Sequence, residues 1–246
     1  MKSLAFFNNK GGVGKTTSVI NVGYILGEVK NKKVLIVDCD GQQNSSRFFE
    51  ADAEIGVESI LLGEAQPEDI VTGTRYENID ILPSTADMNL CSSQFEKLSE
   101  EERENNTDNL KNFWSKYDYV LLDFPPTLNL VSESLIRIAG NVIVPVKLGS
   151  FAIQGISKVT ETINKAGSTF LGCFITQFNA KNKADFELKD IMENSFGDKI
   201  FSTVIPSSNI IQNSIIYNLT AYEYMNWQLP SKKYVELTDE IIERMV

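Results

Sequence analysis

The residues best equipped for chemistry lie in one run near the amino terminus, Asn9-Lys10-Gly11-Gly12-Val13-Gly14-Lys15-Thr16-Thr17. Glycines let backbone N–H groups approach phosphate oxygens, and a helix that starts where they end adds its positive dipole end. In such a run Lys15 reaches the β- and γ-phosphates of a nucleotide, and the Thr16 hydroxyl sits on Mg²⁺. The pattern departs from the general one in two places. Asn9 stands five positions before Gly14, where glycine is usual, and a second lysine, Lys10, follows it.

Two further sets of carboxylates stand where they could serve the same phosphates. Val34-Leu35-Ile36-Val37 runs into Asp38-Cys39-Asp40, and Tyr119-Val120-Leu121-Leu122 runs into Asp123. An isolated Asp-x-Asp is commonly a turn or a helix cap. At the carboxyl ends of parallel strands, however, such loops gather on one sheet edge, where ligands bind. Asp38 and Asp40 can then divide labour between Mg²⁺-bound water and an attacking water, and Asp123 fits a carboxylate that acts on Mg²⁺ through water. Pro125-Pro126 behind it removes two amide donors and fixes a turn.

These placements require strands that alternate with helices. Buried-type apolar runs predict strands near 3–8, 33–38, 79–82, 118–123, 141–146, 169–176 and 200–205. Helical spacing falls near 16–29, 84–98, 107–116, 128–139, 151–166, 184–196, 207–214 and 231–245. The order reads as a single α/β domain over 1–246, with a mostly parallel twisted sheet covered by helices on both faces. The acidic segment 99–109 reads as a solvated connection.

Composition narrows the function. The chain has no histidine, which removes His-dependent triads and the common His-containing zinc sites. Its three cysteines, Cys39, Cys91 and Cys173, are far apart and imply no disulfide framework, which fits a reducing, cytoplasmic setting. No apolar run approaches the roughly 18–20 residues of a membrane span. A net charge of −10 argues against coating nucleic acid over the whole surface, although residues 145–246 are nearly balanced, with 10 Lys+Arg against 11 Asp+Glu.

Taken together, Lys10 to Thr17, the loop Asp38-x-Asp40-x-Gln42-x-Asn44 and Asp123-x-Pro125-Pro126 resemble the ParA/MinD superfamily of deviant-Walker P-loop NTPases. Val144-Pro145-Val146 with Phe151-Ala152-Ile153-Gln154-Gly155, and Val204-Ile205-Pro206-Ser207-Ser208, are similar to the ParA/Soj branch. The resemblance spans nearly the full chain. It implies a protein that dimerises face to face around two ATP molecules, with Lys10 reaching the partner's phosphates. By position it implies ATP contacts from Lys10, Gly11, Gly12, Val13, Gly14, Lys15, Thr16 and Thr17, with Thr17 on the α-phosphate. Thr16, Asp38 and Asp123 fall on the Mg²⁺ side, with Asp38 also supporting Lys15. Asp40 positions the hydrolytic water, and Pro206 and Ser208 lie where the family's backbone recognises adenine. Asn179 is a looser candidate for the base.

The function so implied is a Mg²⁺-dependent ATPase, slow until stimulated, that partitions plasmid or chromosomal DNA. Such a protein binds DNA without sequence preference as an ATP homodimer, on the nucleoid, and is released by a centromere-binding ParB-like partner. The resemblance is to the short form of the family, which implies no separate N-terminal DNA-reading domain. Ser207 stands where many relatives have an arginine. DNA phosphate contacts then fall to Lys181, Lys183, Lys189, Lys199, Lys232 and Lys233. A MinD-like positioning ATPase on a membrane would need a basic amphipathic carboxyl terminus, whereas 234–246 is acidic. An electron-transfer protein of the nitrogenase iron-protein type would need cysteines that Phe124-Pro125-Pro126-Thr127 lacks. A non-hydrolysing nucleotide-gated scaffold would not need Asp40 and Lys10 intact.

Overall fold

The computed structural model describes residues 1–149 and 152–245. The expected start of a helix at 151 and the motif residue Phe151 lie outside the described residues. Seven strands form one sheet: β1 (Lys2–Phe6), β2 (Val34–Asp38), β3 (Thr72–Gly73), β4 (Ile79–Leu82), β5 (Tyr119–Asp123), β6 (Asn141–Lys147) and β7 (Thr169–Thr176). Their spatial order is β3-β4-β2-β5-β1-β6-β7. All pairings are parallel except that of β3, a two-residue antiparallel edge on β4.

Both sheet faces are buried, which is why the strands read as continuous apolar runs. Side chains alternate across the pleat. Leu4 and Phe6 of β1, with Val34 and Ile36 of β2, face the layer of helices Lys15–Tyr24 and Leu229–Arg244. Ala5, Leu35 and Val37 face the opposite layer, built from helices that include Glu100–Phe113, Leu130–Ala139 and Ala152–Lys165. The terminal helix is a core element, with Tyr234, Leu237 and Ile241 buried.

Register sets the functional edge. Phe6 pairs with Asp123 and Asp123 with Asp38, so the carboxyl ends of β1, β5 and β2 finish level and side by side. The glycine turn and both aspartate loops therefore leave the sheet at one edge.

Two sequence expectations are corrected. Segment 99–109 is not a solvated connection: a helix runs from Glu100 to Phe113, started by a capping box in which Ser99 accepts from the Glu102 amide and Glu102 accepts from the Ser99 amide. Its glutamates are exposed on the outer face, while Thr107, Leu110 and Phe113 are buried. Segment 200–205 lies beside β7 but is not a strand. Only Ile200 and Pro206 form isolated bridges, to Cys173 and Phe178. Its backbone groups are satisfied partly by β7, with the Phe201 amide donating to the Cys173 carbonyl and the Ile205 amide to that of Ile175, and partly by side chains of the last helix. Glu240 accepts from the amides of Ser202 (2.8 Å) and Thr203 (3.0 Å), and Arg244 donates to the carbonyls of Ile200 (2.8 Å), Asp198 (2.9 Å) and Leu171 (3.2 Å). Short helices at Asn44–Phe48, Val57–Leu61, Pro67–Ile70 and Ala221–Met225 have no counterpart among the expected elements.

Candidate nucleotide-binding site

The turn after β1 needs its glycines. Gly12 and Gly14 have φ of +70° and +87°, a region that costs other residues roughly 1–2 kcal/mol. Gly14 is the residue before the helix Lys15–Tyr24, and the Ser18 amide donates to its carbonyl at 3.0 Å. Asn8 braces the base of the turn. Its side-chain amide donates to the Pro145 carbonyl of β6 (2.8 Å), and its oxygen accepts from the Lys10 amide (3.0 Å).

The two lysines of the turn are placed differently. Lys15 is only 7% exposed, and its ammonium donates to the carbonyls of Asn8 (3.1 Å) and Lys10 (3.3 Å). Burial pushes its pKa down, while the charges of Asp123 and Asp40 hold it up. Lys10 is exposed and borders a cavity of about 370 Å³ shared with Lys147 and Lys158. Among the described residues none of these three lysines forms an ion pair.

The aspartates differ as well. Asp38 is fully buried and spent locally: one carboxylate oxygen accepts from the Ser46 amide (2.8 Å) and hydroxyl (2.7 Å), the other from the Asp40 amide (3.1 Å). It braces the loop that carries Asp40 and does not reach Lys15. Asp40 is half-buried, in a turn in which it accepts from the Gln42 amide (2.9 Å). Asp123 is fully buried; one oxygen accepts from the Ser45 hydroxyl (2.8 Å), and the other, Oδ1, has no protein partner. Burial raises the pKa of both Asp38 and Asp123, with added negative charge from Asp40 on Asp38 and from Asp38 and Asp40 on Asp123. Hydrogen bonds from Ser46 and the Asp40 amide oppose the rise at Asp38, and those from Ser45 and Thr16 oppose it at Asp123.

A buried carboxylate with an orphaned oxygen beside a Thr hydroxyl suits a hydrated hard cation. Among the described residues no three His, Cys, Asp or Glu side chains gather to hold an ion by themselves. Few protein ligands is what Mg²⁺ wants when phosphate oxygens and waters complete its shell.

On the other side of the turn lies a cavity of about 420 Å³. Gly14, Thr17, Thr176, Gln177, Pro206 and Ser208 line it together with Ile211, Ile215 and Tyr234. Pro206 and Ser208 are thus brought beside Thr17, about 190 residues away in sequence. The Ser208 hydroxyl accepts from the Ile210 amide (3.1 Å) and so caps helix Asn209–Ile216. Asn179 is exposed and not part of the lining. Of the six lysines considered for DNA, Lys183, Lys189 and Lys233 pair with Glu187, Glu193 and Glu236.

Sequence reasoning missed Ser45 and Ser46, which satisfy Asp123 and Asp38, and Thr176 and Gln177, which touch the glycine turn. The serines directly follow Asn44 and were legible as partners for strand-end carboxylates. Nothing local marks Thr176 or Gln177.

A parallel sheet whose first strand feeds a left-handed glycine turn and a lysine-headed helix, with carboxylates at neighbouring strand ends, defines a P-loop nucleotide-binding protein. The AAA domain family model matches residues 1–172. The chain is 30% identical over 250 residues to the chromosome-partitioning ATPase Soj of Treponema pallidum, covering 99% of this chain and 98% of the relative. It is equally 30% identical to the sporulation initiation inhibitor protein Soj of Bacillus subtilis, with 98% of each covered. Among solved structures, the septum site-determining protein MinD of Pyrococcus horikoshii, complexed with Mg-ADP, superposes with a TM-score of 0.79 at 25% identity over 98% of this chain and 95% of that one. The chain belongs to the ParA/Soj family of P-loop ATPases.

Proposed function

We propose that this protein hydrolyses ATP with Mg²⁺ as an ATP-dependent homodimer, and partitions DNA by binding it without sequence preference until a ParB-like partner stimulates turnover. The observation that carries the reading is the contrast between the two lysines of the glycine turn. Lys15 is folded into its own loop, whereas Lys10 is free at the surface. One serves the phosphates of its own protomer and the other is available to a second protomer.

Within a protomer, the amides of Gly11 to Gly14 and the Lys15 ammonium hold the phosphate chain, and Thr17 contacts the α-phosphate. Thr16 and Asp123 would hold Mg²⁺, which would offset the negative charge of the phosphates. Asp38 supports that side through the Asp40 loop it braces. Asp40 orients the attacking water, and Lys10 of the partner protomer stabilises charge at the transferring phosphoryl group. The cavity that joins Thr17 to Pro206 and Ser208 takes the adenine. The related MinD of Pyrococcus horikoshii, solved in complex with Mg-ADP, supports a nucleotide paired with magnesium.

Turnover and size measurements test it. Asp40→Ala is expected to dimerise with ATP yet hydrolyse about 10²- to 10⁴-fold more slowly. Lys10→Ala loses both dimer and turnover. Normal hydrolysis in either variant sinks the assigned roles. For the DNA step, retention should appear with ATP, vanish with ADP and fall steeply with salt; retention indifferent to nucleotide contradicts it.

A further inference from the structure

The end of β7 reaches back to the glycine turn through two consecutive side chains. The Thr176 hydroxyl donates to the Val13 carbonyl at 2.8 Å, and the Gln177 amide donates to the Gly12 carbonyl at 2.7 Å. Those carbonyls belong to successive peptide units, and the structure contains no cis peptide bond among the described residues. In a trans peptide unit the C=O and the following N–H point in opposite directions. With the Gly12 and Val13 carbonyls drawn toward β7, the N–H groups of Val13 and Gly14 are turned away from it. Among the described residues neither has a protein acceptor.

Gln177 also holds an unusual backbone. Its φ is +53°, a left-handed conformation that a non-glycine residue adopts at a cost. Glycine would be the easier residue there, but glycine has no amide to offer Gly12. The side chain lies at the meeting point of the phosphate turn and the cavity lined by Thr17, Pro206 and Ser208.

We infer that Gln177 is a positioning residue: with Thr176 it sets the peptide planes of the glycine turn so that its amides are presented to phosphate before any nucleotide arrives. The inference rests on the nucleotide-binding reading above. It makes a distinct demand, namely that Gln177 acts on the phosphate end of the ligand and not on the base.

The test uses the full chain with Mg²⁺, and two probes, ATP and inorganic tripolyphosphate, each competing with a fluorescent ATP analogue. Two variants remove the donor: Gln177→Met keeps the length, and Gln177→Gly also removes the left-handed strain. One neutral hydrogen bond corresponds to about 3- to 10-fold in affinity. Both variants are expected to lose about that factor for ATP and the same factor for tripolyphosphate, while the thermal midpoint of Gln177→Gly stays level or rises. A loss confined to ATP would assign Gln177 to the base, and no loss for either probe would remove its role; both overturn the inference alone. A falling midpoint in Gln177→Gly in step with affinity would make the residue a fold element only, and would overturn it too. Wild-type protein that binds neither probe would overturn the nucleotide reading itself, and this inference with it.

Discussion

The two sides of the nucleotide cleft are built by different means. On the phosphate side, each group sits at the end of a strand in register with its neighbours, Phe6 with Asp123 and Asp123 with Asp38. On the side proposed for the base, the segment leading to Pro206 and Ser208 is not a strand: scattered backbone bonds tie Phe201 to Cys173 and Ile205 to Ile175, and Glu240 and Arg244 of the last helix hold the stretch before them. Backbone ladders fix the first side through local sequence. The second has fewer backbone bonds and leans on side chains reaching across the fold as well, so it should be the softer of the two.

The largest expected effect lies on the phosphate side. Lys10→Ala should lower partner-stimulated turnover by roughly 10³- to 10⁵-fold, as removal of a supplied cation does elsewhere, with the fold intact by circular dichroism. A change under tenfold would mean that the exposed lysine has no part in the transition state.

Arg244→Ala should separate the two sides next. The guanidinium donates to three carbonyls and lies 3.9 Å from the centroid of the Phe201 ring. Its loss should cost about 2–3 kcal/mol in urea unfolding. ATP affinity should fall while tripolyphosphate affinity is kept. Equal loss for both ligands would show that the sides are mechanically one.

A smaller and oppositely signed effect is expected at Asp123. Burial raises its pKa, so the folded state holds the proton more firmly than the unfolded chain does. Stability then falls as pH rises from the ordinary carboxylate range near 4 toward the raised value of about 7. Asp123→Asn should be near neutral at pH 4, but more stable than wild type by on the order of 2 kcal/mol at pH 8 without Mg²⁺ and nucleotide. Parallel pH–stability curves would contradict the placement of a costly buried charge. Smallest of all, Ser208→Ala removes the cap on helix Asn209–Ile216 and should cost about 1 kcal/mol, with ATP affinity lowered and tripolyphosphate affinity unchanged.

The same contrast explains what could be read in advance. Asp38 and Asp123 were legible because each follows an apolar run directly, and Lys15 and Thr16 because they close a glycine turn that follows one, so strand, turn and site are contiguous in sequence. Helix Glu100–Phe113 was hidden by its acidic outer face, although Ser99-x-x-Glu102 spelled out its start. The strand expected over 200–205 failed for a different reason. Alternating apolar residues there pack correctly, with Phe201 and Ile205 buried and their amides donating to the carbonyls of Cys173 and Ile175, but the ladder is broken between them: the amides of Ser202 and Thr203 turn to Glu240, about 40 residues on. Thr176 and Gln177 carry no local signal, because their purpose appears only when β7 meets a turn some 165 positions earlier.

The exchange of Lys10 between protomers is tested most directly by mixing two inactive variants. Lys10→Ala keeps Asp40, and Asp40→Ala keeps Lys10. In a mixed dimer the Lys10→Ala protomer would receive its missing cation from the other chain, completing one site. Each mixed dimer holds one competent site, so ATP turnover should rise clearly above that of either variant alone. If hydrolysis in the mixture stays at the level of the separate variants, Lys10 does not act across the dimer.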